Sequence, residues 1–279
     1  MHSNLSPHRA TRVMWSVSFA LLSSLFVFIN QAPPAVANAL VIGDGFDVCG
    51  EQPNSAMDQF RTQNSFVGVY IGGLNDPCGG TSASWVNYQL SHGWNFIPIW
   101  DDLGNPCGLK QDLKMSSNSY QAHQQGVDSA DRAINTANPL GFGPSGILYT
   151  DIEAWEGTDN TNQFSVQTCK DAERAFLDGW TARLHARGYK SGFYSSSGGG
   201  EMAYMYGGST RPDFVFYGEG DHAANTNSAY IPAGDWASHQ RVKQYNLNVP
   251  DSRTSNGYGV DWDCANSTLD GFTNSSISC

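Results

Sequence analysis

The chain alternates between short apolar segments and longer amphipathic ones. The short segments are rich in β-branched and aromatic residues and are bounded by Gly, Pro, Asn or Ser, a pattern that predicts β-strands. Eight such segments occur, at residues 45–49, 66–71, 94–100, 147–153, 190–194, 214–217, 241–245 and 258–263.

The stretches between these segments have helical periodicity. Helices are predicted at 55–63, 81–92, 120–137 and 166–187. In the last stretch, Ala172, Phe176, Trp180 and Leu184 recur every four residues and share one helical face. Gly188 follows and suits the left-handed residue that commonly ends a helix.

Strands that alternate with helices predict one (β/α)₈ barrel of the TIM-like type. The segments after the fifth and sixth strands are rich in Gly, Ser and Asn, so the helices there are expected to be short or missing. A doubly wound open sheet is the alternative. It is less favoured because no Gly-x-Gly-x-x-Gly motif follows a strand.

The first 39 residues are predicted to be a signal peptide outside the fold. A basic segment at 8–12 precedes an apolar run at 13–29, and Ala35 and Ala37 offer a small-residue cleavage site. A membrane anchor is the alternative, because the run approaches the roughly 17 residues that can span a bilayer. The cleavage site favours a secreted barrel domain at 40–279, with no stable membrane insertion.

The chain is acidic, with a formal net charge of −11, and it becomes more acidic once the basic leader is removed. This charge disfavours nucleic acid and anionic membranes as partners. The aromatic content of 12% suits stacking against neutral sugar rings. We therefore expect a monomer that binds a polysaccharide or peptidoglycan.

Six cysteines follow the predicted leader, and an even number in a secreted chain favours disulfides. No pair has C-x-x-C spacing, so neither a structural metal site nor a cofactor is predicted. Cys78 and Cys107 follow neighbouring strands and are expected to pair. Cys264 and Cys279 are expected to pin the tail, which leaves Cys49 and Cys169.

Two acids end the fourth predicted strand, which carries the main chemical signal of the chain. Asp151 and Glu153 are two residues apart, so on a strand they share a face with their Cα atoms about 7 Å apart. A carboxyl pair at this spacing is typical of glycoside hydrolysis. A structural ion pair is the alternative.

The position of each acid on the strand suggests its role. One carboxyl must donate a proton to the glycosidic oxygen, and neighbouring carboxyls push their pKa values apart. Glu153, nearer the open cleft, is expected to be the general acid. Asp151 is expected to stay ionised, as a nucleophile or to orient a substrate group. Asp47 and Asp261, on the first and last strands, are expected to bind substrate.

Aromatic residues also recur at the strand ends. Trp100, Trp155, Tyr194 and Tyr245 are expected to form stacking surfaces for sugar rings, with core packing as the alternative.

Three further acids are given structural roles. Asp101 and Asp102 precede a Leu-Gly-Asn-Pro turn and are interpreted as turn acids. Asp263 is interpreted as the start of an exit loop.

Five motifs, taken in order, resemble a secreted glycoside-hydrolase-like family long known as a domain of unknown function. They are Gly45-Phe46-Asp47-Val48-Cys49, Val69-Tyr70-Ile71-Gly72-Gly73, Ile97-Pro98-Ile99-Trp100, Leu148-Tyr149-Thr150-Asp151-Ile152-Glu153 and Gly192-Phe193-Tyr194-Ser195-Ser196. That family is similar, more remotely, to the family 25 lysozymes, whose barrels cleave peptidoglycan. The resemblance implies an acidic site of Asp47, Asp151, Glu153 and Asp261.

These observations predict a secreted glycoside hydrolase that cleaves a cell-wall glycan, most notably peptidoglycan, in the manner of a muramidase. A non-catalytic glycan-binding barrel that kept the groove is the alternative. A phosphodiesterase-type barrel is less favoured, because no histidine pair lies at the strand ends.

Overall fold

Eight strands close into a barrel in chain order. The computed structural model describes residues 41–108, 111, 113–153, 155, 164–197, 211–254, 259–265 and 279. The strands are β1 (Gly43–Asp47), β2 (Phe66–Gly72), β3 (Asn95–Asp101), β4 (Ile147–Asp151), β5 (Lys190–Ser196), β6 (Phe214–Gly218), β7 (Arg241–Val249) and β8 (Val260–Ala265). This closed barrel confirms the predicted α/β, TIM-like fold class.

The last strand runs against its neighbours. Strands β1 to β7 are parallel, whereas β8 pairs antiparallel with both β7 and β1. The beginning of β8 therefore lies where the other strands end. Its register places Asp261 opposite Asp47, the last residue of β1. Asp261 thus reaches the mouth of the barrel although it comes early in its strand.

Helices cover part of the outer wall of the barrel. They are α1 (Asn54–Phe60), α2 (Ala83–Ser91), α3 (Ser119–Ala137) and α4 (Val166–Ala186). The side chains of Ser82, Asn118 and Ser165 cap α2, α3 and α4 by accepting hydrogen bonds from backbone N–H groups of the first turn. Residues 219–240, between β6 and β7, form turns and bends without a helix. Residues 198–210, after β5, lie outside the described residues.

Side chains alternate between the barrel interior and the outer wall, as the strand period of two requires. The interior apolar cluster includes Phe66, Ile97, Ile99, Ile147, Tyr149, Phe214, Phe216 and Val242. Residues of the opposite parity, such as Val67, Val69 and Leu148, pack with helical residues outside. Polar residues continue the interior series toward the mouth, so the candidate site rests on an apolar floor.

Three disulfides join the loops and the tail. Cys264 bonds Cys279 as predicted. The predicted pair of Cys78 with Cys107 is wrong, because Cys49 bonds Cys78 and Cys107 bonds Cys169. The first bridge links the loops after β1 and β2, which are also neighbours, and the second links the loop after β3 to α4.

The predicted signal peptide at 1–39 lies outside the described residues. Within the part of the chain that is described, no helix is both long and apolar enough to cross a membrane.

Candidate active site

Five acids come together at the mouth of the barrel. Asp47, Asp101 and Asp151 end β1, β3 and β4, and Asp261 lies next to the start of β8. Glu153 follows β4 by two residues. Asp47, Asp101 and Asp151 are buried, whereas Glu153 and Asp261 are half-buried. The open end of the barrel therefore has accessible carboxyl groups above buried ones.

Gln244 connects the acids of β1 and β8. Its Nε2 donates to Asp47 Oδ2 at 2.7 Å and to Asp261 Oδ2 at 3.1 Å. Its Oε1 accepts from the hydroxyl of Tyr194 at 2.8 Å. Because the donor and acceptor ends of the amide are both engaged, the orientation of Gln244 is fixed. The structure thus brings Asp47, Asp261 and Tyr194 into one network.

Gln111 connects the acids of β3 and β4. Its Nε2 donates to Asp101 Oδ1 at 2.5 Å and to the backbone carbonyl of Asp151 at 3.2 Å. Its Oε1 accepts from the backbone N–H of Glu153 at 3.0 Å. This residue comes from the long segment between β3 and α3, and no motif in the sequence marks it.

Tyr70 supports Asp151 from β2. Its hydroxyl donates to Asp151 Oδ2 at 3.4 Å. Among the described residues, the other oxygen of Asp151 has no hydrogen-bond partner, although it is buried. Strand parity alone would have placed Tyr70 inside, since it continues the inward series from Phe66. The sequence therefore predicted an inward Tyr70, but an analysis limited to the residues that end each strand overlooked it.

Burial dominates the protonation of Asp47 and Asp151. It raises the pKa of both carboxyls well above the usual range, and neighbouring carboxyls, chiefly Asp261 and Asp101 respectively, add to the rise. The hydrogen bond from Gln244 opposes the rise at Asp47. The environment of Asp151 therefore favours its protonated form, whereas the sequence pattern assigns it the ionised one. The difference arises because the sequence of β4 alone does not show that other strands place further acids beside Asp151.

Asp101 belongs to the same acidic group. Burial raises its pKa to about 6, while the hydrogen bond from Gln111 lowers it. In the described part of the chain, no Lys, Arg or His forms an ion pair with Asp47, Asp101 or Asp151. Protons therefore offset much of the buried negative charge.

The two acids interpreted as turn residues have different roles. Asp101 points into the mouth, which the turn interpretation did not foresee. Asp102 pairs with Arg132 of α3 and accepts from the backbone N–H of Leu74 at 3.2 Å, so its role is structural.

Two predicted stacking residues are not brought to the mouth. Trp100 has outward parity on β3, and its Nε1 donates to Ser129 Oγ of α3 at 3.1 Å. Trp155 is buried, donates to Glu173 Oε2 at 2.9 Å and packs beside the Cys107–Cys169 bridge. Both rings contribute to packing, which is the alternative that the sequence left open.

Tyr245 lies beside the network rather than in it. It follows the inward residue Gln244, and a register shift in β7 separates it from the regular ladder. With Asp44, Asn64 and Trp262 it lines a separate outer pocket of about 610 Å³. Of the two consecutive residues, Gln244 therefore points into the barrel and Tyr245 does not.

Within the described ranges, no group of three or more His, Cys, Asp or Glu residues could hold a metal ion.

Comparison with known proteins gives a family match and a set of similar barrels. The family model described as "Rv2525c-like, glycoside hydrolase-like domain" matches residues 59–265. An uncharacterized protein from B. stearothermophilus aligns with 18% identity and a TM-score of 0.54, covering 82% of this chain and 98% of its own. This likeness supports the barrel fold.

Two further solved structures align with lower TM-scores. The catalytic domain of the endolysin ply40 from Listeria monocytogenes bacteriophage P40 has 14% identity and a TM-score of 0.49, covering 82% of this chain and 95% of that one. A family 25 glycosyl hydrolase from Bacillus anthracis has 9% identity and a TM-score of 0.45, covering 85% and 95%. The search of curated proteins found no match.

Proposed function

The chain belongs to the family of Rv2525c-like, glycoside hydrolase-like domains, and on that premise we propose that it hydrolyses a glycosidic bond of a cell-wall glycan of the peptidoglycan type. The observation that carries the proposal is the pairing of an accessible Glu153 with a buried Asp151 whose environment favours a proton. Two carboxyls in different environments are what acid-catalysed glycoside cleavage requires.

Glu153 is the proposed general acid. It is only half-buried, so a glycosidic oxygen can approach it, and its backbone is held by Gln111. Asp151, the last residue of β4, is more deeply buried and has one oxygen without a partner among the described residues. Asp151 keeps a proton in the resting site and presents that oxygen to Glu153 or to a substrate group. Glu153 gives its proton to the glycosidic oxygen as the bond from that oxygen to the anomeric carbon breaks. Water then adds its hydroxyl group to that carbon, and the remaining proton of the water returns to Glu153.

The rest of the mouth is suited to binding a neutral sugar. Gln244, Tyr70 and Tyr194 offer amide and phenol groups to sugar hydroxyls, and Asp47 and Asp261 offer acceptors. Because Trp100 and Trp155 are packed elsewhere, recognition at the base of the site depends on hydrogen bonds rather than on indole stacking.

Secretion is part of the same proposal. The predicted leader at 1–39 would route the chain out of the cell, and three disulfides suit an oxidising compartment. A wall glycan is then the neighbouring substrate.

The activity test uses the chain without its predicted leader, incubated with purified peptidoglycan, and measures new reducing ends. We expect Glu153→Gln to lower the rate on the order of 10²–10⁴-fold, because an amide cannot donate the acid proton. The matched control is Asp58→Asn, a similar change at an exposed residue of α1, which should retain the rate. Equal release by the parent and by Glu153→Gln would exclude the proposal.

One observation favours a second candidate, a glycan-binding barrel without turnover. If Asp151 is neutral, as its burial favours, the carboxyl beside Glu153 carries no negative charge to stabilise a positively charged transition state. Calorimetric titration with wall fragments would then show binding that Glu153→Gln does not weaken, with no products. Absence of all binding would exclude this candidate.

A further inference from the structure

Asp263 is a buried acid that the proposed chemistry does not use. It lies in β8, and its side chain is fully buried. The sequence pattern places it in an exit loop, whereas the antiparallel register sets it opposite Gly45 of β1 and Gln244 of β7. It shares the inward parity of Asp261, two residues earlier. Asp263 therefore lies one layer below the carboxyls at the mouth.

Asp263 has no hydrogen-bond donor among its described neighbours. Within the described ranges, neither of its carboxyl oxygens receives a hydrogen bond from an N–H or O–H group. The antiparallel register sets Asp263 diagonally across from Asp47 on the neighbouring strand, and each of the two carboxyl groups affects the pKa of the other. Two ionised carboxylates only accept hydrogen bonds, so a bond between these two groups requires a proton on one of them. Leaving both charged and buried would be strongly unfavourable.

The hydrogen bonds around the pair indicate which acid carries the proton. Asp47 already accepts a hydrogen bond from Gln244, an arrangement that suits its ionised form. Among the described residues, the titratable groups in electrostatic contact with Asp263 are Asp47 on β1, Asp261 on β8 and Tyr245 on β7. Each is an acid or a phenol, so none supplies a positive charge. The proton therefore belongs on Asp263.

We propose that Asp263 is a neutral carboxylic acid whose hydroxyl donates a hydrogen bond to Asp47, and that this bond positions Asp47 and Gln244 in the candidate site. Asp263 is a positioning residue, since it lies below the groups that would meet a sugar. Burial, with Asp47 and Asp261 adding to the effect, raises its pKa well above the usual range for aspartic acid, in agreement with this protonation. Only the consequence for catalysis rests on the proposed function.

The protonation is tested directly by spectroscopy, without reference to activity. In protein with ¹³C-labelled aspartate, infrared or carbon NMR spectra at about pH 6 should show a protonated carboxylic acid that is absent from Asp263→Asn, whereas an ordinary aspartate is ionised there. The Asp58→Asn control should retain the signal. A difference spectrum showing that Asp263→Asn removes an ionised carboxylate would overturn the proposal.

A pair of variants tests the positioning role. Asparagine keeps the shape and a neutral donor, so Asp263→Asn should fold and continue to hold Asp47. Alanine removes the donor, and Asp263→Ala should lower glycan turnover on the order of tenfold, because Asp47 loses a buried partner. Activity that is lost equally in both variants would contradict a neutral donor.

Thermal unfolding separates this proposal from the proposed function. A raised pKa in the folded state favours folding at low pH, and the benefit is lost as pH rises from about 4. Asp263→Asn cannot ionise, so its melting temperature relative to the parent should rise with pH, by about 3 °C or more at neutral pH. A difference that does not vary with pH would contradict the proposal. If parent and variants are all inactive on glycans, the proposed function fails, while the melting and spectroscopic results still decide the role of Asp263.

Discussion

Gln244 is the residue on which the hydrogen bonding of three strands converges. Its amide donates to Asp47 and Asp261 and accepts from Tyr194, so it separates two acids that would otherwise repel. A neutral side chain with both a donor and an acceptor is required at this position.

Replacing Gln244 with glutamate should therefore destabilise the protein in a pH-dependent way. The change keeps the shape but substitutes an acceptor for the donor beside two carboxyls, which should lower the free energy of unfolding by about 1–3 kcal/mol at neutral pH. Acidification should restore part of the loss, because a protonated glutamate can donate again. Urea unfolding at two pH values measures both effects, with Gln59→Glu on the exposed face of α1 as the control. An equal loss at both pH values would indicate a packing effect instead.

Strand parity explains which site residues were predictable. Asp47, Asp151, Glu153 and Asp261 could be chosen because acids at the ends of apolar strands stand out in the sequence. The same alternation would have directed Trp100 outward once its neighbour Asp101 points inward. Gln111 could not be found this way, since its position depends on a long loop rather than on a strand.

At the scale of elements, the clearest packing interface lies between α3 and α4. Gly126 of α3 and Gly179 of α4 allow the two backbones to approach closely. A Cβ atom on Gly126 would lie 2.0 Å from the carbonyl oxygen of Phe176, and one on Gly179 would lie 2.2 Å from the carbonyl oxygen of His123. Both contacts are with backbone atoms, which cannot rotate away.

Gly126→Ala should consequently force the two helices apart. We expect a loss of about 1–3 kcal/mol in the free energy of unfolding, despite the better helix propensity of alanine. Gly234→Ala is the matched control, because a Cβ atom there meets nothing within 4 Å. Chemical denaturation of both variants measures the difference. If Gly126→Ala is as stable as Gly234→Ala, the close approach has no energetic significance.

The element pattern was largely predictable because strands and helices differ in period. The direction of β8 was not, since alternation along one segment carries no information on the direction of its neighbours. That direction changes the site, because it places Asp261 at the mouth and Asp263 in the interior.

At the scale of the whole molecule, the disulfides and the acids show what a single sequence leaves undetermined. Cys49 and Cys78 follow β1 and β2, while Cys107 and Cys169 join a loop to a helix. Because β2 is adjacent to both β1 and β3, strand adjacency alone allows Cys78 to pair with either Cys49 or Cys107. Closure of the barrel, rather than any local pattern, brings the acids together and produces their shared electrostatics.

That shared electrostatics predicts an unusual pH dependence of stability. Burial raises the pKa of Asp47, Asp101, Asp151 and Asp263 above the values in the unfolded chain, whereas Arg253 lowers the pKa of Asp251, a half-buried acid. Acids with raised pKa values stabilise the fold fully only below about pH 4, where the unfolded chain is also protonated. Their contribution is lost as pH rises, through about pH 6 for Asp101.

We therefore expect the free energy of unfolding to fall between about pH 4 and pH 8, instead of reaching its maximum near neutrality. For Asp101 alone, a pKa of about 6 corresponds to a loss of roughly 3 kcal/mol over this range. Asp101→Asn removes that titration and keeps a partner for Gln111, so its stability should decline less steeply with pH than that of the parent. Urea denaturation across the range gives both slopes. Equal slopes for the parent and for Asp101→Asn would show that Asp101 titrates as an ordinary aspartate. A free energy of unfolding that rises toward neutral pH in the parent would contradict raised pKa values for the whole group of buried acids.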